Sequence, residues 1–106
     1  MISINAERPY REVDPGVERK LLAKGGQLMT AQLRFRKGAI GALHSHPHEQ
    51  VGYVVSGSFE FSLDGANHTL RAGDSYYVPP GAVHGVKALE DSILVDVFTP
   101  QREDFL

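Results

Sequence analysis

The chain has 106 residues, 42% of them hydrophobic and 23% charged, and no cysteine. That composition excludes a disordered chain, a disulfide scaffold and a thiolate metal site. A net charge of -2 with scattered basic residues gives no electrostatic footprint for nucleic acid.

The N-terminal residues MISINAERPYREVDPG carry Glu7, Arg8, Arg11 and Glu12 without an apolar run, so they do not read as a signal peptide. No apolar segment is long enough to cross a membrane, and the expected compartment is the cytoplasm. The whole chain, 1–106, is read as one domain. Period-two alternation dominates from Val17 onward. Val17–Ala23 and Gln27–Arg36 are predicted strands joined at Lys24-Gly25-Gly26, and Met29, Ala31, Leu33 and Phe35 form the apolar face of the second. Ser58–Leu63 places Phe59, Phe61 and Leu63 on one face. Asp64-Gly65 turns the chain into Asn67–Leu70, and Ala72-Gly73-Asp74 turns it into Ser75–Val78. Ile93–Phe98 closes the series. Short strands separated by glycine turns indicate an all-β sandwich or barrel.

Between the second and third of these strands lies GAIGALHSHPHEQVGYVVSG, Gly38–Gly57. Crowded imidazoles repel when protonated and are awkward to bury when neutral; a metal ion or a solvated loop would each resolve this. In an extended segment His44, His46, His48 and Gln50 share a face and Glu49 takes the other. Pro47 lacks a backbone donor and should interrupt pairing just after His46. In Ile93–Phe98 both faces look buried, so one is expected to face the interior and the other a second sheet or subunit. Asp96 is then a carboxylate in apolar surroundings, which needs a partner or a job.

These residues resemble a known family. Gly38, His44, His46, position 50 and Gly57 fit the first cupin motif, G-x5-H-x-H-x3-E-x6-G. Gly73, Pro79, Gly81 and His84 fit the second, G-x5-P-x-G-x2-H-x3-N. The resemblance implies a cupin jelly-roll β-barrel, or double-stranded β-helix. It also implies one divalent metal ion per chain (Zn, Ni, Fe or Mn), held by His44, His46, Gln50 and His84. Two positions depart from the pattern: glutamine stands at 50 where the family has glutamate, and alanine at 88 where it has asparagine. An amide oxygen can ligate a metal but brings no charge, which leaves a stronger Lewis acid; the alternative is a site that has lost its metal. The motif passes over His48, which is expected to be a pocket residue. His68 is expected in a solvated loop, and Glu49 on the back face.

The segment Val95–Phe105, together with HSHPHEQ, resembles the small KdgF-type cupins, which convert 4,5-unsaturated monouronates from pectin or alginate to linear keto forms. In that family an aspartate, a phenylalanine two residues on and an arginine four further line the active site, and Asp96, Phe98 and Arg102 match this spacing. The resemblance implies an isomerase or tautomerase in which Asp96 moves the proton, Arg102 takes the substrate carboxylate and Phe98 shapes the pocket. Structural alternatives stand beside each: Asp96 as a buried carboxylate paired with an arginine, Arg102 as a solvated tail residue, Phe98 as core. The competing functions are a metal-dependent dioxygenase acting on a flavonol-like aromatic and a non-catalytic sugar-binding module. The expected partners are a small sugar acid and a second copy of the chain in a homodimer, with no nucleic acid and no membrane.

Overall fold

The computed structural model describes residues 1–106. Ten strands form: β1 (Arg11–Asp14), β2 (Val17–Gly25), β3 (Leu28–Phe35), β4 (Ile40–His44), β5 (Glu49–Ser56), β6 (Ser58–Leu63), β7 (Ala66–Arg71), β8 (Ser75–Val78), β9 (His84–Ala88) and β10 (Ser92–Thr99). One-turn helices at Asn5–Glu7 and Glu103–Phe105 lie near the two ends. The strands build a six-stranded sheet in the order β1-β2-β3-β10-β5-β8 and a four-stranded sheet in the order β4-β9-β6-β7. All pairings are antiparallel. This is the jelly roll expected from the motifs, and no helix is long and apolar enough to cross a membrane.

Local chemistry accounts for the turns. β6 and β7 pair through Leu63↔Ala66, leaving a two-residue loop with Asp64 at φ 47 and Gly65 at φ 83. Both residues are left-handed, as the twist of a tight hairpin demands. The expected strands at Ser58–Leu63 and Ser75–Val78 have those bounds, and the others shift by a residue or two. Four strands carried no clear alternation of their own: β1, β4, β5 and β9.

The core follows the inward parity of β3 and β10. Val17, Phe35, Val54, Phe59, Ala88 and Leu94 form one buried cluster, with Phe35 and Phe59 edge-to-face at 5.1 Å. Met29, Ala31 and Phe98 form a second, and Phe61, Val78 and Ala82 a third. Inward-facing Leu94, Asp96 and Phe98 of β10 sit opposite Val54, Gly52 and Gln50 of β5. That inner row changes from apolar to polar along its length, and the site begins there.

The outward face of β10 excludes one of the two covers expected for it, a second sheet of the same chain. Val97 is 37% exposed, and beside it Val51, Tyr53, Val55 and Tyr77 are 46–50% exposed. The odd positions of Ile93–Phe98 are therefore not buried within one chain, because no second layer covers the outside of the six-stranded sheet. His68 is exposed as expected, but on β7 rather than in a loop.

Candidate metal centre and acid pocket

His44 ends β4, His84 begins β9, and the two stand opposite each other in the ladder. His46 lies in the connection between β4 and β5, where Pro47 interrupts pairing, and Gln50 is the second residue of β5. The ring nitrogens of His44, His46 and His84 approach within 4.8 Å of one another, with ring centroids 4.4–5.6 Å apart.

Backbone carbonyls hold each ring by its Nδ1. His44 Nδ1 meets Ala42 O at 2.8 Å, His84 Nδ1 meets Ala82 O at 2.9 Å and His46 Nδ1 meets His48 O at 3.2 Å. A carbonyl only accepts, so at His44 and His84 Nδ1 carries the proton and Nε2 keeps its lone pair. The consequence is visible at His84, whose Nε2 is buried without a partner. His46 faces an oxygen at both ring nitrogens, its Nε2 standing 2.9 Å from Gln50 Oε1. Burial lowers the pKa of both His46 and His84, and their neutral forms are the ones that ligate. Converging lone pairs on neutral imidazoles, with an amide oxygen beside them, fit a divalent cation.

His48 stands outside the group of three, although its ring packs edge-on against His46 at 5.4 Å. Its carbonyl holds His46 and its ring borders a different surface hollow, near Gln27 and Glu103. Glu49 faces outward, as expected, and accepts from the Tyr77 hydroxyl at 2.8 Å.

A cavity of about 340 Å³ opens beside the imidazoles, lined by His44, Gln50, His84, Asp96, Phe98 and Arg102 among others. Asp96 is 6% exposed. Burial raises its pKa to about 6, with hydrogen bonding from Tyr76 the largest opposing influence. Its partner is the Tyr76 hydroxyl, which donates to Oδ1 at 2.7 Å, and not an arginine. Phe98 packs against His46 at 5.8 Å and against Phe105 at 5.5 Å, so it belongs both to the core and to the cavity wall. Arg102 is 8% exposed and is no solvated tail. It donates from Nε and Nη2 to the two oxygens of Asp104 at 2.9 and 2.7 Å.

Sequence reasoning missed two residues in this cavity, Tyr76 and Arg19. Tyr76 on β8 faces Gly52 on β5, which faces Asp96 on β10. A Cβ at Gly52 would fall inside the Tyr76 ring, so the phenol reaches the carboxylate by crossing a strand where no side chain stands in the way. A glycine inside the run EQVGYVVSG was the available signal.

Residues 31–98 match the Cupin domain family. The pectin degradation protein KdgF of Dickeya dadantii is 42% identical over 97% of this chain and 96% of its own length. The structure of KdgF from Halomonas sp. superposes with a TM-score of 0.96 at 42% identity, covering 100% of this chain and 98% of that one. An RmlC-like cupin from Shewanella frigidimarina matches with a TM-score of 0.96 at 40% identity, over 99% of this chain and 95% of that one.

Proposed function

The chain belongs to the cupin family, and on that premise we propose that it is an enzyme that opens 4,5-unsaturated monouronates, released from pectin or alginate, to linear keto acids. The single observation that carries the reading is a buried carboxylate, Asp96, in a cavity lined by His44 and His84, two of the three converging imidazoles. The near full-length similarity to KdgF supports the substrate class.

The reaction is an isomerisation and needs no oxidant. The anomeric hydroxyl loses a proton, the bond from the anomeric carbon to the ring oxygen breaks, and an aldehyde and an enolate result. The enolate collapses to a ketone when C4 takes up a proton. Asp96, ionised at neutral pH with a pKa of about 6, accepts the first proton and supplies the second. Tyr76 and Gln50 hydrogen-bond the carboxylate and favour the ionised form that accepts the proton. Phe98 walls the cavity beside His46 and excludes water from the enolate. His44, His46, His84 and Gln50 would hold one divalent ion. When bound, such an ion supplies positive charge to stabilise a developing oxyanion.

The exposed apolar strip Val51, Tyr53, Val55, Tyr77 and Val97 supports a homodimer through the six-stranded sheet. Light scattering should give twice the chain mass, and Tyr53→Glu should give monomers. For the activity, proton NMR in deuterated water should show loss of the vinylic C4 hydrogen signal and deuterium at C4 of the product. A vinylic signal that decays no faster than in buffer contradicts the proposal.

A further inference from the structure

The cavity contains a second guanidinium, that of Arg19. Arg19 lies on β2 two residues from Val17, which is 2% exposed, and the period of two directs both inward. Its guanidinium rests 3.6 Å from the centroid of the Phe105 ring, and that of Arg102 rests 4.3 Å from the same centroid. One short aromatic tail residue therefore positions both cations at the cavity.

The two arginines differ in what remains available. Arg102 already spends its Nε and Nη2 on the Asp104 carboxylate, so a ligand carboxylate reaching that fork would have to displace Asp104. Arg19 makes no ion pair: the two in the molecule are Arg34–Glu18 and Arg102–Asp104. Its donors are free and face a cavity shared with His44 and Asp96. Burial lowers its pKa, and the charge of Asp104 opposes this without touching it. A half-buried guanidinium stacked on a ring, with no hydrogen-bonding or ion-pair partner, is the arrangement that binds a planar carboxylate.

We propose that Arg19 is the group that binds the substrate carboxylate, and that Arg102, held by Asp104, shapes the wall next to it. The proposal rests on the uronate reading for its ligand, a monosaccharide acid, but its test does not need turnover.

The experiment measures binding of galacturonate, which has no double bond to react, and of galactose, its neutral counterpart, to metal-loaded protein by calorimetry. Wild type, Arg19→Gln and Arg19→Lys are compared. Wild type should prefer galacturonate. Arg19→Gln should weaken galacturonate about tenfold or more while leaving galactose unchanged. Arg19→Lys keeps a cation over Phe105 but loses the fork, and should fall between the two. Equal weakening of both sugars would mean that Arg19 only pins the C-terminal tail, and that overturns the proposal. So does unchanged galacturonate binding in Arg19→Gln, or no preference in wild type. Should Arg19→Gln fail to fold, Arg19→Lys decides by the same comparison. Carboxylate selectivity through Arg19 without turnover of the unsaturated sugar would refute the enzymatic reading and leave this one standing.

Discussion

Tyr76 donates its hydroxyl hydrogen to Asp96 Oδ1 at 2.7 Å, reaching from β8 to β10 over the bare backbone of Gly52. The phenol also stacks on Phe61 at 4.1 Å, so it is fixed from two sides. The carboxylate is thereby anchored at Oδ1, and hydrogen bonding from Gln50 also favours its ionised form. Removing the hydroxyl by Tyr76→Phe should lower kcat by about tenfold or more and change KM little. The hydrogen bond also lowers the Asp96 pKa, so the acid limb of the pH–rate profile should move to higher pH in the variant. A profile that does not move would mean that Tyr76 does not act through Asp96.

Gly52 is predicted to be intolerant of even a methyl group. Its added Cβ would enter the Tyr76 ring and push it off Asp96. Gly52→Ala should cost about 1–3 kcal/mol, the range for overpacking, and reduce activity along with it. Gly25→Ala meets nothing within 4 Å and should lie within about 0.5 kcal/mol of wild type. Thermal melts of the two variants check the contrast.

Metal loading should depend on the imidazoles and on pH. His84→Ala should lose the ion, read by elemental analysis, and chelator should lower the melting temperature of wild type but not of this variant. Burial depresses the pKa values of His46 and His84 from 6.5. The stability tied to their neutral forms is therefore present above 6.5 and lost as pH falls through the depressed folded values. Protons compete for the same nitrogens, so affinity should fall over that acid range.

Asp96 has the opposite sign. Its folded pKa of about 6 lies above the ordinary 3.8, so the folded state binds this proton more tightly than the unfolded chain. That contribution is present below 3.8 and lost as pH rises through about 6. Above that, a buried carboxylate costs up to about 3 kcal/mol. In metal-free protein, Asp96→Asn should be more stable than wild type by about 1–3 kcal/mol at pH 8, with the difference vanishing near pH 4. Denaturant melts at the two pH values measure it. A stabilised variant without activity would show a site kept at the expense of stability.

How much of this was legible in the sequence depended on parity. Met29, Ala31 and Phe35 face the core as their alternation predicts. The grouping of His44, His46 and His84 was implied by the resemblance to the two cupin motifs, and the pairing of β4 with β9 brings them together. Tyr76 was not legible, since Tyr76-Tyr77 gives no sign of which ring turns in; only Gly52, its partner on the neighbouring strand, reveals it. Arg19 was hidden in the charged run Glu18-Arg19-Lys20. Its parity with Val17 pointed inward, but a register shift between Leu21 and Lys24 breaks the alternation that would have displayed it. The outer face of β10 is aliphatic where a single chain supplies no cover. Of the two covers expected for it, the second sheet is excluded and the second subunit is the one proposed.

The most direct test follows the ultraviolet absorbance of the conjugated enol ether in an unsaturated monouronate, mixed with metal-loaded protein and with its Asp96→Ala variant. The account predicts rapid loss of the band with wild type and decay at or near the buffer rate with the variant. Wild-type decay at the buffer rate, or undiminished activity without the Asp96 carboxylate, would contradict it.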